Sequence, residues 1–324
     1  MFGLSLFSVI QYWNYEETFV DISKQLHLNV SNKDLRREIE TAIDASRFDD
    51  ARMYLDIAKS YQYQLNYQHY YSEIDAKDTQ LNRVSTQISN FTSGFIEGES
   101  TNLAGIAGSV SADFTVVGDV RDLYHEYQKY EKGDDVNELI VALSGAGIGL
   151  TAMTIGSLGS LAPVKAGTSI LKTATKTQKI TLRFQRYLLK HGRRMFDWAF
   201  FTRAIKNNKT LSNIRVAAKQ AYHPEAMDPL KVIAKQINNI RKSTSTADTV
   251  HLLKYVETTD DLRYLEKATV KYGSKTKGLI KLLGKGAIRT IRVLKKTAEL
   301  SFSLLFSVIS ALSSLFLLIP RYFL

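Results

Sequence analysis

Twenty-six consecutive residues, Leu139 to Val164, carry no charge. An uncharged run of that length has two stable destinations: across a bilayer, or inside a core that surrounds a helix on every side. Ten of the 26 are Leu, Ile or Val, and Gly145, Gly147, Gly149, Gly156 and Gly159 interrupt them. Gly145 and Gly149 form a G-x-x-x-G, the spacing that lets two helix backbones approach closely in lipid. Length and absence of charge outweigh the helix penalty of glycine, so the expectation is a transmembrane helix over 139–164 with those two glycines as its packing face.

The upstream run Leu103–Gly118 is weaker, because Asp113 near its centre cancels its apolar gain. It is expected to dock on 139–164 as a hairpin arm. The acidic stretch between them reads as a linker that ends in the turn signal Gly133-Asp134. Asp113, Asp119, Arg121 and Asp122 are the charged cluster closest to these arms, and ionisable groups beside a membrane are functional candidates.

The second uncharged run is Leu300–Pro320, 21 residues with 13 Leu, Ile, Val or Phe. As a helix it reaches about 30 Å, the thickness of a hydrocarbon core, and is expected to span it. Residues 1–15 are apolar but too short to cross with ease, and read as an interfacial anchor or part of a span.

Charge divides the chain. Residues 1–138 hold 12 Lys/Arg against 23 Asp/Glu, and residues 139–324 hold 31 against 9. Opposite halves suggest separate bodies, with the basic one facing something anionic. In the acidic half, Ser31–Asp34 fits a capping box that opens a helix with Leu35, Ile39, Ala42 and Ile43 on one face. A second helix carries Ala51, Leu55 and Ala58, and the tyrosines from Tyr54 to Tyr71 read as its packing. In the basic half, Lys281, Lys285, Arg289, Arg292 and Lys296 fall on one stripe if 280–296 is a continuous helix. That stripe would lie on anionic lipid.

The runs GFIEGESTNLAGIAGSVSADFTVVGDVRDL and LIVALSGAGIGLTAMTIGSLGSLAPVKAGTSILK resemble a group of uncharacterised proteobacterial inner-membrane proteins. The likeness lies in Gly98-Glu99 before the first arm, Gly118-Asp119-Val120-Arg121-Asp122 after it, and a basic region after the second. The resemblance implies this architecture and a bacterial inner membrane, and no reaction.

A search for chemistry finds no motif. The six histidines lie at least 28 residues apart, and there is no cysteine. No dinucleotide or phosphate loop and no nucleophile elbow appears. The expectation is an all-α, multi-pass membrane protein with five segments. They are an anchor at 1–15, an acidic helical region at 16–98, a Gly-rich hairpin at 99–165, a basic helical domain at 166–296 and a C-terminal span at 300–320. Residues 165–296 would be cytoplasmic by the positive-inside rule. The functional expectation is a non-enzymatic scaffold without cofactor or metal. Its partners would be anionic lipids and a second copy or another membrane protein. Two alternatives stay open: a pore-forming protein, from the Gly-rich hairpin, and membrane-tethered nucleic-acid binding, from the basic half with aromatics Phe184 to Phe201.

Overall fold

A computed structural model of the protein describes residues 15–78, 116–156, 160–288, 290–294 and 298–318. Strand β1 is Tyr15–Phe19. The helices then run α1 Ile22–Asn29, α2 Asn32–Asp44, α3 Phe48–Ser60, α4 Tyr67–Lys77, α5 Val116–Lys132, α6 Glu138–Gly156 and α7 Ala162–Lys176. They continue with α8 Leu182–Gly192, α9 Trp198–Ile205, α10 Leu211–Ala221, α11 Asp228–Ser243, α12 Thr246–Leu252, α13 Thr259–Tyr272 and α14 Thr276–Leu283. Strand β2, Thr290–Leu294, and α15, Ala298–Leu318, follow. The fold is thus all-α with one addition, a two-stranded ribbon.

Two compact units are present: Ser23–Ile288, and a second formed by Met1–Ile22 with Arg289–Leu324. In the second, β1 and β2 pair antiparallel, Tyr15 opposite Leu294 and Phe19 opposite Thr290. The expected anchor at 1–15 lies outside the described residues apart from Tyr15.

The larger unit is built around α6. Every residue from Leu139 to Leu150 is buried, which is how an apolar helix without a polar face is accommodated in a core. Helices α5, α7, α8 and α10 pack around it. The uncharged run is therefore not one helix over 139–164. Helix α6 ends at Gly156, and Ala162-Pro163 opens α7, where proline at the first turn loses no needed hydrogen bond. Among the described residues no helix is long and apolar enough to cross a membrane.

The glycines of α6 have a different purpose from the one expected. A Cβ on Gly145 would lie 2.1 Å from the Phe196 ring, and one on Gly149 would lie 2.1 Å from the Tyr222 ring. Phe196 and Tyr222 face each other in an antiparallel bridge that joins the chain after α8 to the end of α10. The G-x-x-x-G face thus receives two aromatic rings instead of a second membrane helix. Helix α7 uses one glycine in the same way: a Cβ on Gly167 would meet the Ala234 carbonyl of α11 at 1.9 Å.

At the acidic end, the capping box forms as expected. Ser31 Oγ accepts from Asp34 N, Asp34 accepts from Ser31 N, and Leu35, Ile39, Ala42 and Ile43 are buried. Ala51, Leu55 and Ala58 are buried on α3, and Tyr54, Tyr63 and Tyr70 are interior. The stretch read as an acidic linker is instead the helix α5, closed at Gly133 with φ +78°.

Candidate functional site

Helix α5 carries two inward stripes. Val120, Leu123 and Tyr127 enter the apolar core beside Val141 and Ile148 of α6. Asp119, Asp122 and Glu126, at the same i, i+3, i+7 spacing, are buried as well. Three carboxylates on a buried face need cations or backbone donors. Helix α7 supplies the cations, because its lysines at 165, 172 and 176 recur at helical spacing. Lys172, 1% exposed, donates to Asp119 Oδ1 at 2.6 Å and sits 2.7 Å from Asp122 Oδ2. Lys176 donates to Asp122 Oδ1 at 2.7 Å. Glu126 accepts from Lys129 at 2.9 Å and from the Asn137 amide at 2.7 Å, which fixes the entry into α6.

Helix α6 shapes the other wall. A Cβ on Gly147 would lie 2.2 Å from Asp119 Oδ2, so only glycine leaves room for that carboxylate. Thr151 donates to the Gly147 carbonyl at 2.8 Å and accepts from Lys165 at 2.5 Å. Asp119 Oδ2 is buried and has no hydrogen-bond partner among the described residues. Burial pushes the Asp119 carboxyl up to about 6, against the pull of Lys172. Burial also acts on Asp122, but Lys172 and Lys176 outweigh it and hold that carboxyl below its ordinary range. Lys172 is the mirror case: burial lowers it, and the two aspartates more than restore it.

This cluster brings together two of the four residues singled out near the apolar arms. Asp119 and Asp122 meet, Arg121 stands half exposed with a nitrogen 3.6 Å from Asp122, and Asp113 lies outside the described residues. Their partners Lys172 and Lys176 were missed. Their i, i+4 spacing in a helix otherwise rich in small, hydroxyl and aliphatic residues was the available signal. Among the described residues no group of His, Asp or Glu is placed to hold a metal ion. Chemically the cluster is a charge-balanced clamp between α5 and α7.

The continuous helix over 280–296, on which the expected stripe depends, is not present among the described residues. Helix α14 stops at Leu283 because Gly284 takes φ +78°, and the chain then enters a 3₁₀ turn and β2. Thr290-Ile-Arg-Val-Leu294 alternates and is rich in β-branched residues, a strand pattern that the helical spacing of the cations concealed. Lys281 pairs with Glu38 at 2.6 Å. Lys285 lies 3.0 Å from Asp261 and 3.3 Å from Glu257. Arg292 is placed opposite Glu17 in the ribbon, while Arg289 and Lys296 lie outside the described residues. A neighbouring lysine, Lys277, pairs with Asp50 and with Asp248. Beside it, burial and the cations Lys254 and Lys277 pull the His251 imidazole down to about 4.

No protein family model, curated protein or solved structure matches this chain.

Proposed function

We propose that the protein is a non-enzymatic helical scaffold tethered to a bacterial inner membrane by the segment 300–320, with the Ser23–Ile288 unit on the cytoplasmic side. The observation that carries the tether is the surface of α15. Phe302, Leu304, Leu305, Phe306, Val308, Ile309 and Leu312 are all exposed, Phe302 by 76%. At about 100° per residue they occupy roughly 200° of the helix circumference. An apolar arc of that width, interrupted only by Ser313 among the described side chains, is unfavourable in water and favourable in acyl chains. The described side chains from Leu304 to Ser313 extend about 15 Å, and the uncharged sequence from Leu300 to Pro320 supplies the rest of a bilayer's thickness.

Because α6 is enclosed by other helices, this reading has one span where the sequence suggested two. The cytoplasmic side follows from the Lys/Arg excess of the basic half, and the bacterial inner membrane from the resemblance around Gly98-Glu99 and Gly118–Asp122. The scaffold role is supported by an interior whose charges are neutralised by one another.

Carbonate extraction of bacterial membranes tests the tether. The full chain is expected in the pellet, and a Leu305→Arg/Ile309→Arg variant in the supernatant, since each central Arg costs about 2.5–3.5 kcal/mol. Extraction of the unaltered chain, or retention of the variant, would remove the anchor from α15.

A further inference from the structure

The charge ledger of the Ser23–Ile288 unit does not close evenly. The acidic half answers the cations of α7 and α14 through Asp119, Asp122, Asp50 and Glu38. Lys209 is taken by Glu131 at 2.7 Å, and Arg193 by Glu138 at 2.5 Å. Helix α8 is left over. Between Lys165 and Lys219 the sequence has 14 Lys/Arg and one acid, Asp197. That acid is occupied as the N-cap of α9, accepting from Phe200 N at 2.8 Å.

The geometry of α8 turns this excess into a surface. Phe184 and Leu188 point inward and are buried. Leu182, Arg183, Arg186, Tyr187 and Lys190 are all exposed and fall within about 140° of arc. Arg194 is exposed in the turn that follows the helix. Among the described residues Arg186 donates only to the Leu182 carbonyl of its own helix. Arg183 has a distant neighbour in Glu257, 3.8 Å away and already shared with Lys285. Among the described residues Lys190 and Arg194 have no carboxylate partner. Two exposed apolar residues sit among these cations: Leu182, 76% exposed, and Tyr187, whose ring stacks on buried Phe184 at 6.3 Å.

We propose that the outward face of α8 and the turn after it (Leu182, Arg183, Arg186, Tyr187, Lys190 and Arg194) form a docking surface for anionic phospholipid headgroups. Cations alone would suit any polyanion. The mixture favours lipid, because a headgroup layer offers phosphate to Arg and Lys and, just beneath, apolar contact for Leu182 and an amphipathic ring such as Tyr187. Nucleic acid would use aromatic faces for stacking, and Tyr187, only 37% exposed, is held between Phe184 and His191. The inference rests on the tethered reading in one respect: a tether raises the local concentration of headgroups and makes a weak surface effective.

The cysteine-free sequence permits a single reporter. The full chain carrying Leu182→Cys, labelled with an environment-sensitive dye, is mixed with phosphatidylcholine vesicles and with phosphatidylcholine–phosphatidylglycerol vesicles. A blue shift is expected on the anionic vesicles alone, diminished by salt. Adding Arg183→Gln, Arg186→Gln, Lys190→Gln and Arg194→Gln should remove the shift and cut the preference for anionic vesicles by at least about tenfold, each cation near an anionic leaflet contributing about fivefold. Equal spectra on both vesicle types overturn the proposal. So does a shift with duplex DNA in the absence of any shift on anionic vesicles. Flotation with neutral vesicles reads the tether separately. A chain that floats only with anionic vesicles, and shifts there, would retain the α8 surface and lose the anchor.

Discussion

A lysine with 1% of its surface in water is tolerated at Lys172 because two carboxylates share its charge. Taking away one member of such a group leaves a buried, uncompensated charge, which costs more than the intact group contributes. Asp119 is the weak member, with one oxygen bonded and the other without a donor among the described residues. Its carboxyl is raised by burial to about 6. Between the ordinary value of 3.8 and about 6 the folded chain therefore holds a proton that the unfolded chain has released. That term lowers stability as pH rises across the window. His251 works in the opposite sense. Its imidazole, lowered from 6.5 to about 4, is protonated first in the unfolded chain, so its contribution grows with pH between those values. Asp119→Asn should leave the His251 trend alone. Unfolding midpoints of the variant are expected to climb from about pH 4 to 6.5, while those of the unaltered chain climb less or fall. Superimposable profiles would show that Asp119 does not titrate in this range. The aspartates were visible in the sequence as charges beside apolar arms. Lys172 was not, because 53 residues separate it from Asp119 and no local pattern links them.

Local signals were read correctly where an element's reasons are local. The cap at Ser31, the buried stripe of α2 and the turn at Gly133 all follow from neighbouring residues. Helix α5 was mistaken for a linker because its acids looked solvated, and the cations that bury them belong to another helix. Helix α6 was mistaken for a bilayer span because lipid and a ring of helices make the same demand on a sequence, apolar side chains all round. Its glycines separate the two readings. In lipid, a methyl at position 149 would meet the backbone of a second membrane helix; here it would strike the Tyr222 ring. Gly149→Ala is expected to destabilise the chain by about 1–3 kcal/mol, as overpacking of a filled core does. Tyr222→Leu in the same chain should recover part of that loss. Denaturant titration of the three proteins measures it, and independent, additive effects would mean that the glycine and the ring do not touch.

At the scale of the whole molecule, the opposite charges of the two halves first suggest two bodies, one of them seeking an anionic partner. Instead the two halves meet inside one unit, where Lys172, Lys176, Lys277 and Lys281 pair with acids of the first half. Lys281 reaches Glu38 across 243 residues, and Lys275 donates to Ser60 across 215. Pairing between the halves reduces the excess of +22 in the basic half to the net +11 of the whole chain, and α8 carries a concentrated share of it. A chain stopped after Glu138 would contain α1 to α5 with their carboxylates but neither α7 nor α14. Such a fragment is expected to unfold without a cooperative transition, in contrast to the full chain. A sharp two-state transition in the fragment would show that the acidic half is a body of its own. The Lys172 clamp also has a consequence during synthesis. A ribosome adding about 5–20 residues per second releases Asp119 several seconds before the lysine that neutralises it. Throughout that interval the nascent chain is a polyanion without its counter-ion, repelled by the acidic RNA around it and kept open until its own second half arrives.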